Sequence, residues 1–283
     1  GAGWNDQGRI GDGTTTARTT AVQIGALTTW ADVRGGPNGA GALKTDGTIW
    51  TWGNGDSGNL GDSTTADKSS PVQAGSKTDY AQFDYGFEYL VAVDTAGKLW
   101  SWGTGNTGGT GHGNTTDLSA PTQVGALTDW AEVACAKYST WAIKTDGTLW
   151  SWGTNDSGQL GHGGTVNVSS PVQVGALTDW ATLGQCSEGA TFKHAIKTDG
   201  TLWYIGGTNG VGQSGDGTTV GKSSPTQIGS RTDWAFVTSQ ETATMHALDN
   251  AGVMWSAGAG GTNGQIGNGT ISVTYSSPVQ VGN

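Results

Sequence analysis

The chain has 283 residues, among them 51 glycines and 14 tryptophans, and its 13 basic and 23 acidic residues give a net charge of −10. No Lys/Arg cluster is present that could follow a phosphate backbone, so the composition argues against nucleic-acid binding. Glycine shows no G-X-Y period, which excludes collagen, and no apolar run approaches the about 20 residues of a membrane-spanning helix. We therefore predict a globular chain that does not insert into a membrane.

A segment of about 50 residues recurs along the whole chain. It contains K-T-D-G-T-L-W or a variant, whose final tryptophan is Trp50, Trp100, Trp150, Trp203 and Trp255 in successive copies. A fixed period of this length indicates a repeat architecture, in which each unit needs its neighbours to cover its apolar face. No linker separates the copies, so we predict one repeat-built domain spanning residues 1–283.

In chain order, the repeat divides the sequence into a half unit at 1–25 and five full units at about 26–75, 76–125, 126–175, 176–229 and 230–283. The half unit carries only the second half of the pattern, because the G-Q-L-G-like loop occurs six times and the first half of the pattern five times. An uncovered sheet edge invites pairing. We therefore expect residues outside this sequence, or another chain, to complete the half unit.

Each full unit is predicted to form four short strands, which we label A to D. In the third full unit the expected strands are 130–133, 141–144, 148–152 and 171–174, and Asp146-Gly147 makes the tight turn between B and C. No stretch shows the helical period of 3.6. These patterns predict an all-β fold, a β-propeller of four-stranded antiparallel blades. Five complete blades and a half blade are visible, of six or seven in a full ring.

The tryptophans supply a reason for the blades to pack. Trp150 and Trp152 are two residues apart on a strand, so both side chains point to one face of the sheet. Twelve of the 14 tryptophans fall at three repeat positions, and Trp4 and Trp141 are the exceptions. Because buried aromatic rings contribute large apolar areas, we predict that the repeated tryptophans pack between neighbouring blades.

The pattern D-G-T-L-W-S-W-G-T-N-D-S-G-Q-L-G at 146–161, followed by P-V-Q-V, resembles the repeat of the regulator of chromosome condensation family. The resemblance covers essentially the whole chain. The residues of the motif are more similar to bacterial and bacteriophage versions of the repeat than to eukaryotic ones. The resemblance implies a β-propeller, which has seven blades in the founding member. It also implies, as one possible activity, the nucleotide exchange on a small GTPase that the founding member performs.

Catalytic and metal-binding patterns are scarce, so we predict no enzyme activity, no cofactor and no metal. His112 and His162 occupy the loop position that holds Asp12 and Asp62 in other copies, and we interpret them as turn-forming polar residues. The acidic loops at 5–12 and 54–62 contain oxygen ligands of the kind calcium binds, but Asx-turns explain them more simply. Two cysteines are too few for a disulfide framework. We expect Cys135 and Cys186 to be buried thiols and leave their pairing open.

Variation between copies indicates where a partner would bind. The K-T-D-G-T turn and the P-V-Q segment vary little, whereas the A–B loops at 34–41, 84–89, 134–140, 184–193 and 238–244 all differ. Binding residues collect on loops that a rigid scaffold holds in place. We therefore predict a contact surface on these loops. The alternative is that the loops have no partner and that their sequences have diverged without constraint. Its residues are Tyr85, Phe87, Glu88, Tyr89, Tyr138, Trp141, Phe192 and His194.

The function that these observations favour is a non-enzymatic interaction or structural module for a protein or surface glycan. The resemblance to phage repeats places it in a virion or another extracellular assembly. A nucleotide-exchange regulator of a small GTPase is the first alternative. The repeat steps of 50 to 53 residues leave no room for the inserted wedge which that activity uses in the founding member, and no basic tail is present. A propeller-type enzyme inhibitor is the second alternative.

Overall fold

The structure, a computed structural model, describes residues 1–26, 28–187, 189–241 and 243–282. These residues form 21 β-strands and no α-helix. A helix long and apolar enough to cross a membrane is accordingly not found in the described part of the chain. The chain divides into two compact units, residues 1–133 and 134–283.

The first unit holds a strand-paired half blade and two four-stranded sheets. In the half blade, Gly1 and Gly3 pair with Val22 and Arg18, through hydrogen bonds of 2.7 to 2.9 Å. The sheets have the orders β1-β2-β3-β4 and β5-β6-β7-β8, and all their pairs are antiparallel. The strands are β1 (Trp30–Gly35), β2 (Gly39–Lys44), β3 (Ile49–Gly53), β4 (Lys68–Gln73), β5 (Tyr80–Tyr85), β6 (Tyr89–Asp94), β7 (Leu99–Gly103) and β8 (Leu118–Gln123).

The division between the units falls inside β9, and the remaining strands belong to the second unit. Its sheets have the orders β9-β10-β11-β12, β13-β15-β16-β17 and β14-β18-β19-β20-β21. The two-residue strand β14 leaves its own blade and pairs in parallel with β18. The strands are β9 (Trp130–Cys135), β10 (Ser139–Lys144), β11 (Leu149–Gly153), β12 (Val168–Gln173), β13 (Trp180–Leu183), β14 (Gln185–Cys186), β15 (Phe192–Lys197), β16 (Leu202–Gly207), β17 (Thr226–Gln227), β18 (Trp234–Gln240), β19 (Thr244–Asp249), β20 (Met254–Gly258) and β21 (Tyr275–Gln280).

The predicted order of four antiparallel strands per repeat is confirmed, and the strand ends differ by up to three residues. In the third full unit, strand B begins at Ser139 rather than at residue 141, and strand D begins at Val168 rather than at residue 171. The B–C turn is as expected. Gly147 has a φ of 77°, and a Cβ there would lie 2.2 Å from the Thr178 carbonyl oxygen. Only glycine fits this turn without strain.

The repeated tryptophans of strand C divide into two groups. The second tryptophan of strand C packs against the preceding blade, because Trp52 Nε1 donates to Arg9 O at 3.1 Å and Trp102 Nε1 donates to Asn59 O at 3.0 Å. The predicted inter-blade position is therefore confirmed for these indoles. The first tryptophan of strand C is half-buried and packs within its own blade, as Trp180 does with Trp203 at 5.7 Å between ring centroids.

Candidate interaction surface

The A–B ends of the blades combine a constant backbone with variable side chains. Four of the five A–B connections are three-residue tips, at 36–38, 86–88, 136–138 and 241–243, and the last includes Thr242, which lies outside the described residues. In the first three, the first tip residue donates its N–H to the carbonyl just after the tip, at 2.7 to 2.9 Å. The backbone frame is thus the same while the sequence changes from G-P-N to G-F-E and A-K-Y.

In the first unit, the predicted contact residues 85–89 separate into buried and exposed positions. Tyr85 and Tyr89 are 4% and 1% exposed, since they end β5 and begin β6. The Tyr85 hydroxyl accepts a hydrogen bond from Asn59 Nδ2 at 3.0 Å. Phe87 and Glu88 lie at the tip and are half-buried, and Glu88 Oε1 accepts from Asn38 Nδ2 of the neighbouring tip at 3.2 Å.

In the second unit, one predicted contact residue reaches the surface. Tyr138 is half-buried at its tip, and the exposed Lys137 holds its ammonium 5.6 Å from the Tyr138 ring centroid. Trp141, Phe192 and His194 are 0%, 2% and 0% exposed. These three side chains lie on strand B, inside the protein.

Phe87, Glu88 and Tyr138 are thus the members of the predicted surface that a partner can touch directly. The other five side chains lie on strand A or strand B and are buried. Trp141 was already on predicted strand B, so a strand position that faces the interior, and not a loop, decides its burial. Whether a partner binds at these tips stays a prediction. Sequence reasoning missed the tip residues Asn38 and Lys137, although both belong to the variable segments from which the surface was chosen.

His194 is a fully buried imidazole with a hydrogen-bond partner at each ring nitrogen. Its Nε2 lies 3.0 Å from Ser214 O, which can only accept, so Nε2 carries the proton and donates. Its Nδ1 then accepts from Ser239 Oγ at 2.9 Å. Burial lowers the pKa of His194 to about 4, and the nearby Lys193 charge acts in the same direction. The imidazole is neutral at pH 7 and serves to join β15 to the next blade.

Two pairs, each formed by a strand C serine and a histidine of the following loop, have the wrong hydrogen-bond direction for nucleophilic catalysis. Ser101 Oγ donates its proton to Thr110 O at 2.7 Å, so His112 Nε2, at 2.9 Å, donates to the serine rather than accepting from it. The pair Ser151 and His162 is identical in geometry. The interpretation of these histidine side chains as turn-forming groups is therefore wrong, since the imidazoles reach strand C. Burial lowers the pKa of both histidines.

The acidic loops are satisfied by protein donors. Asp12 accepts from Thr14 N at 3.0 Å, Thr14 Oγ1 at 2.7 Å and Arg18 Nε at 2.6 Å. These hydrogen bonds lower the pKa of Asp12 to about 2, and the bond from the Thr14 hydroxyl has the largest effect, followed by the bond from Arg18. This is the Asx-turn arrangement. Within the described ranges, no group of three or more His, Cys, Asp or Glu side chains is placed to hold a metal ion. Cys135 and Cys186 are not joined by a disulfide.

At the B–C end, each blade places a cation over the first tryptophan of strand C. The Nζ atoms of Lys44, Lys144 and Lys197, each the last residue of strand B, lie 4.0 to 4.4 Å from the ring centroids of the tryptophans six residues later. In the second and fifth blades an aspartate takes that strand position, and the D–A loop supplies the cation instead. Lys77 Nζ lies 4.7 Å from the Trp100 ring centroid, and Arg231 Cζ lies 4.4 Å from that of Trp255.

This exchange corrects the expectation that the B–C turn hardly varies. The turns at 94–98 and 249–253 read D-T-A-G-K and D-N-A-G-V. In them Asp94 Oδ2 and Asp249 Oδ2 accept the tryptophan Nε1–H at 2.9 and 3.0 Å, whereas Thr48 Oγ1 and its counterparts accept it in the K-T-D-G-T turns. The sequence contains this signal. The segment before strand A reads A-L-T-T or A-L-T-D in the first, third and fourth blades, and S-K-T-D or S-R-T-D in the second and fifth.

Comparison with known proteins agrees with this architecture. The model of the regulator of chromosome condensation (RCC1) repeat matches residues 46–92, 96–143 and 146–191. The solved structure of human WBSCR16 is 18% identical with a TM-score of 0.82, covering 100% of this chain and 75% of that one. Prp20p from Saccharomyces cerevisiae is 17% identical with a TM-score of 0.81, covering 100% and 73%.

A third solved structure, the ectodomain of the receptor kinase CR4 from Physcomitrella patens, is 11% identical with a TM-score of 0.50, covering 81% of this chain and 51% of that one. A comparison with curated protein sequences gives no match. The three matched repeats and the shared fold settle the class predicted from the tryptophan pattern. The chain belongs to the regulator of chromosome condensation repeat family and has a β-propeller fold of four-stranded blades.

Proposed function

We propose that this protein is a non-enzymatic interaction module that binds a protein partner through the A–B tips of its blades. The observation that carries the proposal is the identical hydrogen-bonded frame of the tips at 36–38, 86–88 and 136–138, which present different side chains. A rigid frame lowers the entropy lost when the tip side chains are immobilised by a partner. Variable residues on a constant frame are typical of a recognition surface.

The relatives support a protein as the partner class. Prp20p from Saccharomyces cerevisiae binds Gsp1p and histones, and a second solved structure holds Kap60 bound to Prp20. Prp20 is therefore a protein-binding propeller of the same fold. For the present chain, we keep the sequence-based proposal of a virion or other extracellular assembly, with a surface glycan as the alternative ligand.

A photo-crosslinking amino acid placed at Phe87 or Tyr138 tests the proposal in the material from which the protein is isolated. Matched controls carry the same group at Asp46 or Asp146, which are exposed at the opposite, B–C end. We expect one discrete protein adduct from the tip positions and none from the controls. Equal labelling from both ends, or no adduct from either tip, contradicts the proposal.

Alanine substitution then measures the contribution of each tip. Phe87→Ala and Tyr138→Ala are each expected to weaken binding of the captured partner by roughly 1 kcal/mol or more, as for aromatic hot spots. Thr45→Ala, an exposed change at the B–C end, should leave the affinity unchanged. Loss of binding in the control as well would place the interface elsewhere.

The exchange of guanine nucleotide on a small GTPase is the second candidate, favoured by the fold shared with Prp20p. The repeat steps of 50 to 53 residues argue against it, because they leave no inserted wedge. Release of a fluorescent guanine nucleotide from Gsp1p is the direct assay. We expect no acceleration above the spontaneous rate, and a rate increase would replace the first proposal with this one.

A further inference from the structure

The fourth blade places a lysine at a core position of strand B. Lys193 lies on β15 directly before His194, and its side chain is fully buried. The other blades fill this strand B position with residues that carry no charge, namely Ala40, Leu90, Thr140 and Met245. Transfer of an ammonium from water to a protein interior is costly unless an anion or hydrogen-bond acceptors replace its hydration. The contacts of Lys193 therefore have to stabilise a charge that the other blades do not bury here.

Three groups surround the Lys193 ammonium. Its Nζ donates hydrogen bonds to Gly184 O at 2.5 Å and to Cys186 Sγ at 3.4 Å, and it lies 5.1 Å from the Trp141 ring centroid. The ion pairs that carboxylates form within the described part of the chain do not include Lys193. Of the three groups around the ammonium, only the Cys186 thiol can become an anion by losing its proton.

The contacts of Cys186 favour the thiolate. Its sulfur accepts a hydrogen bond from Lys193 at 3.4 Å, whereas Phe192 O, to which a protonated thiol could donate, is 3.8 Å from the sulfur. A cation beside a cysteine stabilises the thiolate, and the thiolate is the form that reacts as a nucleophile. Cys186 is half-buried, so part of its surface is open to small reagents. The pair therefore combines a stabilised nucleophile with access from solution.

The second cysteine of the chain is an internal comparison. Cys135 ends β9 and is 1% exposed, which keeps reagents in solution away from its sulfur. Cys186 instead belongs to β14, which leaves its own blade and places Cys186 opposite Ser239 of β18. The second unit thus holds one shielded thiol and one accessible thiol beside a cation, and the accessible thiol lies where the fourth and fifth blades meet.

We propose that Cys186 and Lys193 form a thiolate–ammonium pair that is a site of oxidative modification by hydrogen peroxide. The thiolate sulfur bonds to one peroxide oxygen, and the O–O bond breaks. The leaving hydroxide takes a proton from the Lys193 ammonium and becomes water. The sulfur is oxidised by two electrons to the sulfenic acid, R–S–OH, while the peroxide is reduced. Two neutral groups then replace a buried ion pair, which removes the desolvation cost of the Lys193 charge.

Treatment of the folded chain with hydrogen peroxide in the presence of dimedone tests the site directly. Dimedone traps sulfenic acids, and peptide mass spectrometry shows which cysteine carries the adduct. We expect the adduct on Cys186 and not on Cys135 in the folded protein, and comparable adducts on both cysteines after unfolding in urea. No adduct on Cys186, or equal adducts on both cysteines of the folded protein, overturns the proposal.

Lys193→Met separates the effect of the ammonium from the exposure of the thiol. Methionine already fills this position in the fifth blade, where Met245 is buried, so the variant should fold. We expect the rate of Cys186 alkylation by iodoacetamide at pH 7 to fall at least about threefold. Lys222→Met is the matched control, because Lys222 pairs with Asp216, and it should leave the rate unchanged. A folded Lys193→Met that reacts as fast as wild type refutes the role of the ammonium.

The pH dependence of alkylation gives a readout that a change in packing alone does not move. Between pH 7.5 and 6.5 an ordinary thiol loses about tenfold in rate, and we expect Cys186 to lose less than about threefold. The other titratable groups beside the pair are His194, which is neutral in this range, and Glu241, whose N–H donates to Ser187 Oγ at 2.6 Å. Ser187→Cys in a Cys186→Ala background supplies an ordinary thiol on the same segment. The proposal is wrong if Cys186 loses as much rate as that thiol, whether or not Lys193→Met folds. No tip partner takes part in these readouts, so they are independent of the proposed function.

Discussion

The second blade offers a test of why its B–C turn differs from the others. Asp94 is 1% exposed at its side chain and accepts hydrogen bonds from Ala96 N at 3.0 Å, Lys98 N at 2.9 Å and Trp100 Nε1 at 2.9 Å. Lys77 Nζ lies 2.8 Å from its second carboxylate oxygen and covers the Trp100 ring. Burial by itself would raise the pKa of Asp94, but Lys77 and these hydrogen bonds lower it overall. Asp94 therefore holds the turn together through its hydrogen bonds and its ion pair with Lys77.

The perturbation is Asp94→Lys, which places at 94 the residue that the first, third and fourth blades use. Alone it removes the acceptor of three N–H groups and brings a second cation beside Lys77. Loss of one member of a buried ion pair costs about 3 to 5 kcal/mol. Lys77 is 21% exposed, which puts the expected loss near the lower value, about 3 kcal/mol. Lys77→Leu alone should cost about 1 to 2 kcal/mol, because Asp94 keeps its three N–H donors.

The complete exchange should restore stability. Lys77→Leu, Asp94→Lys, Ala96→Asp and Lys98→Thr together convert the turn to K-T-D-G-T and give its D–A loop the leucine that the third blade has at Leu127. The new lysine would lie over Trp100, and the new threonine would accept the indole N–H, as Thr148 does for Trp150 at 2.9 Å. We expect the quadruple variant within about 1 kcal/mol of wild type, a strongly non-additive result.

Urea denaturation followed by far-ultraviolet circular dichroism measures each midpoint. Leu127→Lys is the control, because Lys144 already covers Trp150 at 4.4 Å, and a second cation there should give no stabilisation. The explanation requires that one cation over the tryptophan and one acceptor for its indole N–H are enough to stabilise the turn. It is refuted if the quadruple variant has a urea midpoint as low as that of Asp94→Lys.

Three further outcomes are expected. Trp152→Ala should lower the unfolding free energy by about 3 to 5 kcal/mol, because the side chain is 0% exposed. Trp4→Ala is the control, because Trp4 is 75% exposed, and it should change the unfolding free energy by less than about 0.5 kcal/mol. Equal losses in the two variants would contradict the burial of Trp152. Gly61→Ala should lower the denaturation midpoint, since φ is 69° and its Cβ would lie 2.7 Å from a buried indole nitrogen, while Gly164→Ala, with no atom within 4 Å, should not. The pKa of His194 is about 4 when folded against 6.5 when unfolded, so its contribution of about 3 kcal/mol is complete above pH 6.5 and is lost as pH falls toward 4. His194→Gln should flatten the fall in unfolding free energy between pH 7 and 4.5, and an unchanged slope would refute this assignment.

The sequence alone determined the repeat, the strand order and the family. These follow from local chemistry. Gly147 and the glycines at the same place in the other B–C turns adopt a positive φ of 72° to 79°, and the alternation around Trp150 and Trp152 sets which side chains share a face. Such features depend on residues close together in the chain. The same pattern therefore predicts the same element in every copy.

Only the tertiary structure decided which variable residues are accessible and which partners they have. Trp141 and His194 belong to variable segments, yet they are buried because strand B of one blade lies against strand A of the next. The cation over Trp100 comes from Lys77, 23 positions earlier. Burial at these positions depends on residues far away in the chain, so no local pattern could report it.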